Sequence, residues 1–162
     1  MSRKLSFAVV LFSAFAVTAP AWAQAQPAPA PAWPPIVTKQ FMAARKTVKT
    51  VDMKGYLAAV KDPQGALILD IREPAEFAAG HVPGAVNIPR GVLEFQIYKH
   101  LGYPNKVDTA RKIYVQCQTG GRASFAAASL KKIGFKNPIA VIVNMAEWEK
   151  AGNPWVKAAA AN

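Results

Sequence analysis

Lys112-Ile113-Tyr114-Val115-Gln116-Cys117-Gln118-Thr119-Gly120-Gly121-Arg122 runs directly into Ala123-Ser124-Phe125-Ala126-Ala127-Ala128-Ser129-Leu130. Residues 112–116 have the length and the β-branched and aromatic content of a strand. Residues 123–133 are rich in Ala and stop at Gly134, which reads as a helix with a glycine end. Between them the Gly-rich turn leaves no room for a long loop. The stretch is therefore a strand–turn–helix unit with a cysteine at the carboxyl end of the strand.

The same alternation continues in both directions. Upstream, residues 66–69 (ALIL) form a continuous apolar run ending at Asp70, preceded by the turn 62–65 (DPQG). Such a run suits a strand buried on both faces. Residues 74–79 read as a short helix stopped by Gly80, 85–88 as a brief strand, 91–100 as a helix and 101–109 as a loop. Farther back, 48–51 is a candidate strand. Asp52 then caps a helix that carries Met53, Tyr56, Leu57 and Val60 on one face. Downstream, residues 139–143 and 145–151 supply the last strand and helix. Five strands separated by helices predict an α/β fold, a doubly wound, mostly parallel five-stranded sheet with helices on both faces. Ligands of such sheets bind outside the carboxyl ends of the strands, where Cys117 and Asp70 both fall.

The chain has 162 residues, and its ends do not belong to that pattern. Arg3 and Lys4 precede an uncharged apolar run, residues 5–18, that closes in Ala19-Pro20-Ala21-Trp22-Ala23. This is the layout of a secretory signal peptide, residues 1–23, with cleavage after Ala23 or Ala25. The run is shorter than the roughly 20 apolar residues of a membrane span, so no stable membrane insertion is expected after cleavage. Residues 24–46 begin as an Ala/Pro tract, a semi-rigid linker, and continue as a lead-in of weak periodicity to a single domain at 47–157; residues 158–162 are a tail. A periplasmic or secreted location follows. The net charge of +11 becomes +9 without Arg3 and Lys4. Its Lys and Arg are dispersed, with no aromatic-interleaved basic motif, which argues against nucleic acid as a partner. One cysteine excludes an intramolecular disulfide, and the two histidines have no ligand-spaced companions, so no metal is expected.

Cys117 is either a small buried hydrophobe or a reactive group. The second reading has local support. Backbone N–H groups of residues 118–122, the amino end of the following helix and the Arg122 charge would all favour a sulfur anion. Gly120 and Gly121 would let the turn curl around one atom.

The turn resembles the active-site loop of the rhodanese family, C-x-x-G-x-R between a strand and a helix. Three further segments agree in order. Residues 67–77 (LILDIREPAEF) are similar to the family's L-I-D-V-R-x-x-x-E-F. Residues 80–89 (GHVPGAVNIP) are similar to its G-H-I-P-G-A-x-N-I-P. Met145-Ala146-Glu147-Trp148 with Gly152-Asn153-Pro154 is similar to its closing segment. Two places depart: Gln118 stands where many members carry a basic residue, and Val143-Asn144 where Gly-Gly is usual.

The resemblance implies a cofactor-free thiosulfate sulfurtransferase. Cys117 would take sulfur as a persulfide from a small anionic donor such as thiosulfate and yield it to cyanide or a thiol. Arg122 would stabilise the anion, and Gln118, Thr119, Gly120 and Gly121 would form the substrate loop. The four residues between Cys117 and Arg122 favour sulfur over phosphate, since related phosphatases and arsenate reductases insert one more. A non-catalytic sulfur carrier or binding module is the alternative. Asp70 and Arg72 are supporting candidates, either orienting the loop and drawing in an anion or simply forming a salt-bridged strand end. His81 and the tryptophans Trp148 and Trp155 are expected to be structural, and Thr119 and Ser124 to cap the helix.

Overall fold

Side-chain alternation along two neighbouring strands explains how the chain presents its cysteine. In the computed structural model, which describes residues 33–157, β2 (Leu67–Asp70) and β4 (Lys112–Gln116) lie parallel, with Leu67 opposite Ile113 and Asp70 opposite Gln116. Leu67, Leu69, Ile113 and Val115 point to one face of the sheet, and so does Cys117 just beyond it. Ile68 points to the other, as the period of two requires.

Three more strands, β1 (Lys49–Val51), β3 (Val86–Asn87) and β5 (Asn137–Val141), complete an all-parallel sheet in the order β1-β5-β4-β2-β3. The helices are α1 (Pro35–Arg45), α2 (Met53–Lys61), α3 (Pro74–Ala79), α4 (Leu93–Gln96), α5 (Gly121–Lys132) and α6 (Met145–Lys150). One core joins Leu93, Ala123, Ala126, Ala127 and Leu130 of α4 and α5 to the first face. The other joins Tyr56 of α2 and Met145 and Trp148 of α6 to the second. The expected doubly wound α/β fold is what the chain adopts, and its sheet is parallel throughout. Residues 1–23, expected to be a signal peptide, the expected linker segment 24–32 and the tail 158–162 lie outside the described residues.

Local chemistry sets the boundaries. Asp52 caps α2, its carboxylate accepting the Gly55 N–H at 2.8 Å, and Asn144 caps α6 through the Ala146 N–H at 3.0 Å. Residues 91–100 do not form the single helix expected of them. They break into a 3-10 turn (Arg90–Val92), α4 and a second 3-10 turn (Ile97–His100). Leu93, Ile97 and Leu101, four apart, remain one buried stripe through all the pieces, so docking on the sheet survives the change of helix type. Strand β5 starts at Asn137, two residues earlier than read. Pro138 is tolerated because β1 pairs with β5 only from Ile139 onward.

The lead-in is a helix. Pro35 occupies its first turn, where the missing N–H costs nothing. Val37, Phe41 and Arg45, spaced by four, share one side of α1. Phe41 meets Phe125 of α5 edge-on at 6.5 Å between ring centroids. The Arg45 guanidinium sits over the Phe41 ring and donates to Ser124 Oγ at 3.3 Å.

A candidate active site at Cys117

Cys117 is almost fully buried at the end of β4, and its sulfur is the acceptor for two backbone amides, Gly120 N–H at 3.2 Å and Ala123 N–H at 3.4 Å. Helix α5 has no side-chain cap. One of its unpartnered first-turn amides, that of Ala123, is satisfied by the sulfur instead. Of the amides expected to point inward, 118–122, only that of Gly120 bonds to sulfur, and Ala123 lies one residue outside the expected set. Ser124 does not cap an amide: its hydroxyl donates back to the Gly120 carbonyl at 2.7 Å and accepts from Arg45.

The two loop glycines are not equivalent. Gly120 has φ +90°, and a Cβ there would stand 3.1 Å from Ile142 Cα and from the Val141 carbonyl oxygen. Both conformation and space demand glycine at this point. Gly121 is already helical and a Cβ on it would touch Phe41 at an ordinary 3.6 Å, so the expectation that it too needs glycine's freedom does not hold. Gln118 is half-buried, its carbonyl accepting the Met145 N–H at 3.0 Å. Thr119 is exposed.

Arg122 is paired with a carboxylate, an arrangement the sequence reading missed. Both of its terminal nitrogens donate to the two oxygens of Glu76 at 2.7 Å, a bidentate fork. Glu76 also accepts the Glu73 N–H at 3.1 Å, so the same carboxylate fixes the start of α3. The hydrogen bonds from Arg122 hold the Glu76 carboxyl below the usual carboxylate range. In turn Glu76 first, and the nearby Cys117 sulfur after it, push the guanidinium pKa up.

Behind the cysteine lies a buried polar chain on the opposite face of the sheet. Asp70, wholly buried, accepts from Arg72 Nε at 3.0 Å and from its NH2 group at 2.7 Å, and from Gln116 Nε2 at 2.7 Å. Arg72 also donates to the Gly80 carbonyl at 2.8 Å, and its guanidinium lies 5.5 Å from the centre of the Trp155 ring. A Cβ at Gly80 would run into that ring at 2.4 Å. Gln116 Oε1 takes a short hydrogen bond from the Tyr56 hydroxyl. Burial, and then the Asp70 charge, raise the Tyr56 pKa well above its ordinary value, so the phenol keeps its proton and donates. Of the two readings of Asp70 and Arg72, the structure shows the ion pair. Asp70 reaches the loop only through Gln116, the residue before Cys117. A lone amide in the otherwise apolar run Ile113–Val115 was the signal that could have singled out Gln116.

The remaining expectations fall on the structural side. His81 stacks on Phe77 at 3.8 Å between rings, and its Nδ1 lies 3.0 Å from the Phe77 carbonyl. Trp148 is fully buried. Among the described residues no three His, Cys, Asp or Glu side chains cluster as metal ligands.

Two cavities flank the loop. One, of about 310 Å³, has a wall of Trp33, Val37, Phe41 and Phe125 against Thr119, Gly121 and Arg122. The second, about 270 Å³, is bounded by Arg72, Gly80, Met145, Glu149 and Trp155. Gln118 and Glu76 belong to both.

Comparison with known proteins agrees with this geometry. YrkF of Bacillus subtilis, named as a candidate sulfur carrier, is 31% identical over 102 residues, 63% of this chain and 51% of YrkF. The chain thus spans about half of that relative. Thiosulfate sulfurtransferase 16 of Arabidopsis thaliana is 34% identical over 102 residues, 56% of this chain and 79% of that protein. In solved structures, the polysulfide-sulfur transferase homodimer of Wolinella succinogenes shares the fold. Its TM-score is 0.64 at 23% identity, covering 78% of this chain and 91% of that one. The model of the Rhodanese-like domain matches residues 53–151, from the start of α2 through the end of α6, and the chain belongs to the rhodanese-like domain family.

Proposed function

We propose that the protein is a sulfurtransferase in which Cys117 carries sulfur between a donor and a thiophilic acceptor. The observation that carries this reading is the Cys117 sulfur itself, held by the Gly120 and Ala123 amides inside a loop with four residues before Arg122. The thiolate attacks the outer sulfur of thiosulfate. The donor's S–S bond breaks, sulfite leaves with the electron pair, and Cys117 is left as a persulfide anion. The first-turn amides of Gly121 and Arg122 have no intrahelical acceptor and suit the charge of that outer sulfur, as donors of an oxyanion hole suit an oxygen. An acceptor nucleophile then attacks the outer sulfur and returns the electron pair to Cys117. The relatives named as sulfurtransferase and sulfur carrier support the same chemistry. The leader-like first 23 residues support a periplasmic or secreted setting.

Incubation with thiosulfate and cyanide tests the reading. Thiocyanate should accumulate with wild-type protein and not with Cys117→Ser; equal rates from the two would end the proposal.

A second reading, a carrier that receives its sulfur from a partner's persulfide, is favoured by the Glu76–Arg122 fork. The fork neutralises the charge that would otherwise attract thiosulfate, and Gln118 adds none. Persulfide on Cys117 after exposure to a persulfide donor, with negligible turnover of free thiosulfate, would select it.

A further inference from the structure

The apolar cavity beside the loop is not needed to hold an inorganic sulfur anion. Val37 and Phe41, one turn apart on α1, Trp33 just ahead of that helix, and Phe125 of α5 form an apolar, mostly aromatic wall. The rest of the lining comes from the Cys117 loop, Gln118, Thr119, Gly121 and Arg122, and from Glu76. Among the described residues that line it, the only full charges are those of Arg122 and Glu76, and they cancel in the bidentate pair. A volume of about 310 Å³ falls at the lower end of the range for small-molecule sites. Trp33 and Val37 remain about half and a third exposed, so the space is open to solvent.

We infer that this cavity binds the apolar body of a low-molecular-weight organic thiol, the sulfur acceptor, and directs its thiolate to the persulfide on Cys117. The inference rests on the sulfur-transfer reading and names its acceptor class. The step is balanced without another reagent. The acceptor thiolate attacks the outer sulfur, a new S–S bond forms as the Cys117 S–S bond breaks, and the electron pair returns to Cys117. The product leaves as an organic persulfide anion. A compact hydrophilic thiol of the same basicity has the same nucleophilicity but nothing to place in the cavity.

The experiment loads Cys117 with sulfur and compares its discharge by benzyl mercaptan and by 2-mercaptoethanol. Covering one aromatic ring should favour benzyl mercaptan by about tenfold or more. Trp33→Ala and Val37→Asn, at exposed positions that leave the Phe41–Phe125 contact in place, should bring the ratio of the two rates toward one. A ratio near one in the wild type, or a preference that both variants retain, overturns the inference. Should Cys117 not load, benzyl alcohol titrated into Cys117→Ser and followed by NMR decides it separately. Shifts at Val37, Phe41 and Phe125 that weaken in Val37→Asn support the site, and shifts elsewhere or none overturn it. Failure to load counts against the sulfur-transfer reading alone.

Discussion

Replacing Gly120 by alanine strikes the conformation of the loop and one of its two sulfur donors together. At φ +90° an L-residue costs roughly 1–2 kcal/mol more than glycine. The new methyl would also stand 3.1 Å from Ile142 Cα and the Val141 carbonyl oxygen. Both are backbone atoms of the β5 exit and cannot rotate away. A total near 2 kcal/mol follows, and for a domain of this size that lowers Tm by roughly 6–10 °C. If the amide is also turned away from the sulfur, the loss of a hydrogen bond to an anion, about 1.5–3 kcal/mol, reduces kcat/KM by roughly ten- to a hundredfold. Thermal unfolding by circular dichroism and the thiocyanate rate measure the two effects. Gly121→Ala supplies the contrast: its backbone is helical and its Cβ meets Phe41 at 3.6 Å, so its Tm should stay level or rise slightly. Equal Tm values for Gly120→Ala and the wild type, with unchanged turnover, would refute the reasoning, as would equal damage from both substitutions.

Asp70→Ala leaves the Arg72 guanidinium buried without its carboxylate. Urea unfolding should show a loss of about 3–5 kcal/mol. Gln116→Leu removes the link between Tyr56 and Asp70 and should cost about 1–3 kcal/mol. Because the three form one chain, Tyr56→Phe should cost much less in the Gln116→Leu background than alone. Glu76→Gln releases Arg122, and the KM for thiosulfate should fall several-fold, the scale of roughly 1 kcal/mol for one charge near the surface. The same effect should appear in the wild type at low pH. The Glu76 pKa is depressed by Arg122, so the pair is intact above the ordinary carboxylate value of about 4.3 and is lost as pH falls through the lower native value. Any stability that the pair contributes is present above the ordinary value and disappears over that same acid window. It is small because both side chains are a third exposed. Glu76→Gln should remove the acid-side drop in KM.

The parts of this protein legible in its sequence are those governed by short-range rules. The apolar run before Asp70 suits a buried strand, and residues 112–116 have the composition of one; both are strands. Pro74 and Gly80 bracket α3 as read, and Asp52 caps α2 as read. The position of Cys117 followed from strand, turn and helix without any tertiary information. What escaped depends on contacts between distant segments. Glu76 and Arg122 are 46 residues apart, so nothing local announces their fork. Gln116 is a strand-end amide until Tyr56 and Asp70 close around it. Helix α1 was obscured by Pro34-Pro35 and by exposed Ile36 and Met42. The four-residue spacing of Trp33, Val37, Phe41 and Arg45 becomes meaningful only when Phe125 and Ser124 lie opposite. The difference between Gly120 and Gly121 likewise depends on how closely β5 passes the loop.

Mass spectrometry of the intact protein after exposure to thiosulfate is the most direct measurement of the central claim. One added sulfur, located on Cys117, lost on addition of cyanide and absent from Cys117→Ser, is the expected result. An unmodified wild-type mass with thiosulfate and with a persulfide donor alike, or the same addition on Cys117→Ser, would contradict it.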